Sequence, residues 1–266
     1  MIEQVLIGAG PSEARRRAAY ESVSNVGTVS RLTSAAELSV DTIIDLEDPS
    51  DLAPDRLDQL LASDAFIVSG APVRGSVDFR VLPAWSDLLA GPLVRMAADQ
   101  AELGVRTMSK SILVTETPGL APVMFRAVLA LVAMGGALSR LAACSEPEDA
   151  KFDGVFGVGR FCDGSIAYVE ACAGCLPGSE LLIYEVMGRK EVREYDSRRS
   201  LNRVVGDDGL KPLAAVRTDP YTAFVKELFE SDELGCPSDR TAILRDAESA
   251  YLALINAMST RGSVVV

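Results

Sequence analysis

From Val5 to Ile7 the chain is continuously apolar. The run passes through Gly8-Ala9-Gly10 into Ala14 to Val23, a stretch with no helix breaker after Pro11. This pattern predicts a buried strand, a tight turn and a helix. Further strands are predicted at Gly27–Arg31, Asp41–Leu46 and Asp64–Ser69, with a helix over Leu52–Leu61 between the last two. Alternating strands and helices of this kind build a parallel sheet. Helical periodicity resumes from about Pro83 to Leu103, followed by a β-rich run at Ser111–Thr115 closed by Thr117-Pro118-Gly119. Val123–Met134 then forms a long apolar helix ended by Gly135-Gly136.

Beyond Gly136 the texture becomes strand-like at Ala137–Cys144, Gly154–Cys162, Ser165–Ala173, Glu180–Val186 and Lys190–Asp196, with Gly, Pro and Asp at the turns. An antiparallel sheet is expected there. Two helices follow, at roughly Tyr221–Phe229 and Arg240–Met258, before the closing Ser263-Val264-Val265-Val266. The expected fold class is α/β. A Rossmann-like parallel-sheet domain over residues 1–120 precedes an α+β domain with an open, mostly antiparallel sheet over 121–266.

Composition narrows the function classes. Of 266 residues, 48% are hydrophobic and 24% charged, as in ordinary globular chains. A formal charge of −12, with no concentrated Lys/Arg segment, argues against a nucleic-acid partner. The start lacks the basic and apolar segments of a signal peptide, and no apolar run reaches membrane-spanning length, so a cytoplasmic location is expected. Five cysteines, an odd number, imply reduced thiols. Histidine is absent altogether, which removes His-dependent triads, His general bases and His-containing zinc sites.

Gly8-Ala9-Gly10, between a strand and a helix, is the first half of a dinucleotide fingerprint. The third glycine position holds Glu13 instead, so the turn can be read as a nucleotide cradle or as a purely structural bend. A residue at the end of the second strand selects the ribose, and here Ser30-Arg31 offers a cation and no acid. A 2′-phosphate is therefore the better fit, although Arg31 also reads as a solvated strand end. Arg15-Arg16-Arg17 reads as a solvated helix face, because three consecutive helical positions cannot point the same way. Cys172 and Cys175 have CxxC spacing without a second pair, and read as half-buried thiols.

Three stretches together resemble the Gfo/Idh/MocA family of nicotinamide-dependent oxidoreductases. The first is Val5 to Gly10. The second is Asp64-Ala65-Phe66-Ile67-Val68-Ser69-Gly70-Ala71-Pro72, followed by Ile112-Leu113-Val114-Thr115-Glu116-Thr117-Pro118, which is similar to the family's "VLxEKP" strand. The third is the final helix and strand from Asp246 to Val266. The resemblance implies NADP(H) at Gly8, Gly10, Ser30 and Arg31, with Ala71, Pro72 and Glu116 lining the nicotinamide side. It also implies a homo-oligomer formed through the sheet around Gly164–Asp196, and a small-molecule substrate or ligand.

The departures fall on the chemistry. The family's EKP lysine is Thr117 here, and its catalytic histidine has no counterpart. A threonine hydroxyl donates a hydrogen bond but supplies neither a charge nor a proton near neutral pH. Two functions stay open on this basis. One is an NADPH-dependent reductase of an imine or conjugated double bond, whose catalytic group the sequence leaves unknown. The other is a catalytically silent protein of the same fold, acting as a ligand-binding, regulatory or partner subunit.

Overall fold

The apolar runs become strands where both faces are covered. In the computed structural model, residues 2–33, 38–73, 81–84, 100–116, 118–145, 153–199, 201–207, 209–212, 219–230 and 238–266 are described, with isolated positions 88, 93 and 96. They form two units, residues 1–89 with 218–238 and residues 90–217 with 239–266.

The first unit is built on a parallel five-stranded sheet of β1 (Ile2–Ile7), β2 (Val26–Arg31), β3 (Thr42–Leu46), β4 (Phe66–Ser69) and β5 (Val81–Pro83). The spatial order is β2-β1-β3-β4-β5. Every residue of β3 and β4 is buried, whereas β2, at the edge, is largely exposed. Helix α1 (Glu13–Glu21) follows β1, and α2 (Pro54–Leu61) starts on a proline whose missing N–H costs a first-turn position nothing. Leu60 of α2 packs with Ile44, Leu46, Ala65 and Ile67. Because β1 pairs with β2 on one side and β3 on the other, the strand order reverses there, and the crevice beyond the carboxyl ends of β1 and β3 is the topological switch point.

Two placements differ from the sequence expectation. The run expected near Ser111–Thr115 is β6 (Arg106–Val114), which pairs within the second unit, antiparallel to β10 (Leu181–Gly188) and parallel to β9 (Ile166–Ala173). Its burial alternates over Arg106–Ser111, as suits a sheet with one open face, unlike the unbroken burial of β3 and β4. The helix α4 (Pro220–Glu230) lies in the first unit, where it packs on α1 with the Tyr221 and Tyr20 rings 6.5 Å apart. Numbering the helices in chain order, α3 is Leu120–Gly135 and α5 is Ser238–Thr260.

The second unit holds a nine-stranded mixed sheet. Besides β6, β9 and β10 it contains β7 (Leu138–Ser145), β8 (Asp153–Phe161), β11 (Glu191–Asp196), β12 (Leu201–Gly206), β13 (Gly209–Pro212) and β14 (Ser263–Val265). Their order is β13-β12-β11-β10-β6-β9-β8-β7-β14. The almost wholly apolar α3 covers β6, β8 and β9, and α5 packs beside it through Tyr251 against Phe125. On the opposite face Phe156, Val158, Ile166 and Val205 are 38–43% exposed. No described helix is long and apolar enough to cross a membrane.

The end of α3 is fixed by Arg106. Its guanidinium donates to the carbonyls of Met134 and Gly135, pairs with Asp163 at 2.6 Å and lies 4.8 Å above the Phe161 ring. A cation at a helix C-terminus satisfies carbonyls that the helix leaves unpaired. The ring fits only because residue 135 is glycine, since a Cβ there would lie 2.0 Å from two ring carbons. Alanine gains at most about 1 kcal/mol in helix propensity, and displacing this ring and the cation above it outweighs that gain. Gly135→Ala is expected to destabilise the protein by a net of about 1–3 kcal/mol in urea unfolding. An unchanged midpoint would show that the ring relocates freely.

Candidate functional site

The glycine turn after β1 lies at the switch point, and the groups around it belong to the chain itself. The Gly8 N–H donates to the Asp45 carbonyl at 2.8 Å, fastening the turn to β3. One helical turn into α1, Arg16 is 2% exposed. Its Nη1 donates to the Asp45 carbonyl at 3.0 Å and to Oδ1 of the same residue at 2.8 Å. Its Nη2 donates to the Gly8 carbonyl at 2.8 Å and reaches Glu47 Oε2 at 3.4 Å. The second carboxylate oxygen of Asp45 accepts the Tyr221 hydroxyl from α4.

This network is electrostatically closed. Burial pulls the Arg16 guanidinium down, but Asp45 beside it, with Tyr221 and Glu47, more than compensates and leaves it above its ordinary value. Burial and then the Asp45 charge hold the Tyr221 phenol well above the usual range, and Tyr20 is raised for the same two reasons. Arg16 therefore stays a cation. Neither phenol can lose a proton near neutral pH.

Glu47 follows β3 directly, and its carboxylate lies across the turn at the start of α1. Oε2 accepts the Ser12 N–H at 3.0 Å. A Cβ on Gly10 would come within 2.2 Å of that oxygen, so the absent side chain at Gly10 admits the chain's own carboxylate. The positive end of a helix and its unpaired N–H groups form an anion site, which a dinucleotide fold uses for pyrophosphate. Glu47 already meets that demand. As arranged, these residues do not fit a pyrophosphate, which would meet a carboxylate at the donors it needs.

Gly8, Gly10, Ser30 and Arg31 are brought to neighbouring strand ends, with Ser30 opposite Leu6 and Arg31 opposite Ile7 in the β1–β2 register. Arg31 is exposed but pairs with Glu13 at 3.5 Å, and Glu13 also meets Arg17 at 3.4 Å. Ala71 and Pro72 lie past the end of β4, one strand farther from β1 than Glu47, and Ala71 is buried. Glu116 lies in the second unit, exposed, and accepts a bond from the Gly178 N–H. Thr117 lies outside the described residues.

The reading of Arg15-Arg16-Arg17 as a solvated face is corrected at its centre. Arg15 is half exposed and pairs with Asp219, and Arg17 donates to the Val29 carbonyl, but Arg16 is buried. Sequence reasoning also missed Asp45, Glu47 and Tyr221. The available signal was Asp45 itself, a charge inside the apolar run Thr42–Leu46, because a buried carboxylate requires a partner.

No protein-family profile matches the chain, and no curated protein matches it. Solved structures do. A biliverdin reductase from Synechocystis, in complex with biliverdin and NADP+, aligns with a TM-score of 0.71 at 11% identity over 97% of this chain and 99% of that one. A levoglucosan dehydrogenase, in complex with NADH and levoglucosan, gives 0.70 at 12% identity over 99% of both chains. A putative NADPH-dependent oxidoreductase from Desulfitobacterium hafniense gives 0.68 at 15% identity over 99% and 97%. The chain shares the fold of these solved oxidoreductases over 97–99% of its length.

If Arg16 neutralises Asp45 as described, Arg16→Met leaves a buried carboxylate without its cation. A loss of about 3–5 kcal/mol in denaturant unfolding is expected. Arg17→Met removes a partly exposed pair and one hydrogen bond to the Val29 carbonyl, and is expected to lose about 1 kcal/mol. Equal losses from the two variants would contradict the special position of Arg16.

Proposed function

We propose that this chain uses an oxidoreductase fold without hydride transfer of its own, acting as a ligand-binding, regulatory or partner subunit in the cytoplasm. The observation that carries this reading is the Glu47 carboxylate on the Ser12 N–H, in the position a pyrophosphate requires. The chain's lack of histidine, and Thr117 in place of the family's lysine, point the same way. Calorimetric titration of the purified protein with NADPH and NADH tests it. No binding of either at millimolar concentration is expected, and micromolar binding of either overturns the reading.

A second reading is an NADPH-dependent reductase of an imine or conjugated double bond. It is supported by fold neighbours that bind NADP+ or are described as NADPH-dependent. Arg31 adds to it, being exposed at the end of β2 where a 2′-phosphate can reach its guanidinium. This reading requires NADPH to bind more tightly than NADH, with Arg31→Ala erasing most of the difference. A preference that survives the substitution removes Arg31 from the site.

The partner surface in our reading is the open face of the nine-stranded sheet, and the occupant is a second copy of the chain. Phe156, Val158 and Ile166 lie together on β8 and β9, and Val205 extends the apolar surface on β12. Apolar area of this kind is costly to leave in water. The wild-type protein is expected to sediment as an oligomer at micromolar concentration, and Ile166→Asp to shift it toward monomer. A monomeric wild type contradicts the assignment.

A further inference from the structure

The fold brings a diphosphate cofactor to the turn after β1, and the residues present refuse it. The refusal traces to one side chain. Of the groups around the turn, Asp45 is saturated by Arg16 and Tyr221 and is itself buried. Glu13 lies toward Arg17 and Arg31, on the β2 side of the helix. Among the described residues, it is Glu47 that places a carboxylate oxygen on an N–H at the start of α1. The space left by the missing side chain of Gly10 is the space the Glu47 carboxylate occupies, since a Cβ there would lie 2.2 Å from Oε2.

We infer that Glu47 stands in for the phosphate and is the residue that excludes a diphosphate from this turn. Its removal does not dismantle the turn. Arg16 is held at 2.8 Å by Asp45 and at 2.8 Å by the Gly8 carbonyl, and Glu47 adds only a longer contact of 3.4 Å. With the Glu47 charge gone, the Ser12 N–H loses the carboxylate that accepts it. The ligand class such a turn takes is a diphosphate, whether free or within a dinucleotide.

This inference rests on the reading that the wild-type chain does not bind nicotinamide nucleotides, and the experiment separates the two. Wild type, Glu47→Gln and Glu47→Ala are titrated by calorimetry with inorganic pyrophosphate, NADPH and NADH, with circular dichroism melts to establish folding. Gln keeps the volume and an oxygen for the Ser12 N–H while removing the charge, so it carries the test if Ala loses structure. Ala removes charge and volume together. Pyrophosphate is expected to bind the neutral variants at least about tenfold more tightly than wild type, a difference of about 1.4 kcal/mol. The nucleotides are expected to follow the same order.

Folded variants that bind neither pyrophosphate nor nucleotide, like the wild type, overturn the inference and leave the silent reading standing. A wild type that binds nucleotide, with variants that bind it still more tightly, overturns the silent reading and the exclusion together, leaving Glu47 as a residue that only weakens diphosphate binding. Equal micromolar binding by all three proteins overturns both.

Discussion

The buried pair of Arg16 and Asp45 is the constraint on which the first unit's site depends. Asp45 occupies a strand buried on both sides, where an isolated carboxylate would cost several kcal/mol even after relaxation. Its charge is tolerable because α1 delivers a guanidinium that meets the Asp45 side chain and the carbonyls of Asp45 and Gly8 at the same time. That geometry fixes the glycine turn against β3. It also fixes α4, since Tyr221 completes the second oxygen of the same carboxylate. Such a pair adds little net stability over apolar packing of the same volume. Its effect is on register, because each donor has one acceptable position.

Charge placement then decides what the turn can do. A helix N-terminus attracts anions through its dipole and its unpaired N–H groups. In this chain the anion on the Ser12 N–H is covalently attached, the Glu47 carboxylate directly after β3, so it binds without the translational cost that a free ligand bears. A cofactor phosphate must displace it and then share the site with its charge. The phenols offer no alternative chemistry, because burial and the Asp45 carboxylate hold Tyr20 and Tyr221 in their protonated forms. The charges of this region are paired within the chain.

The fold was legible where burial writes an unbroken apolar run. The strands at Thr42–Leu46 and Phe66–Ser69 fall inside the expected segments, and the exposed edge strand Val26–Arg31 lies beside its own without such a run. The strand at Arg106–Val114 was found, but its sheet was not. Its polar first half, Arg106 to Ser111, sets it apart from β3 and β4, and its partners β9 and β10 show which sheet completes it. The site was legible at the two glycines and illegible at its charges. Arg16 sits between an exposed arginine and a partly exposed one, so nothing in the local sequence distinguishes it. Its burial is decided by Asp45, 29 residues away, and by Tyr221 on a helix far along the chain.

The second unit shows the opposite treatment of charge. On its open face, cations and anions meet across neighbouring strands, Lys110 with Glu185 at 3.1 Å and Arg203 with Glu194 at 2.6 Å, while the Tyr168 hydroxyl donates to Glu170 on the same strand. The apolar side chains Phe156, Val158 and Ile166 lie beside these groups on β8 and β9. A surface whose charges are already paired can be covered by another protein at a smaller desolvation cost than one presenting unpaired charge. Arg140 and Arg160, directly opposite each other on β7 and β8, break that pattern at the far side of the sheet. Two like charges in register repel, and an acidic group of a covering surface would relieve them. In the first unit an internal acid fills the position where a ligand's charge belongs. In the second, charges paired across neighbouring strands lie beside exposed apolar side chains on one open face.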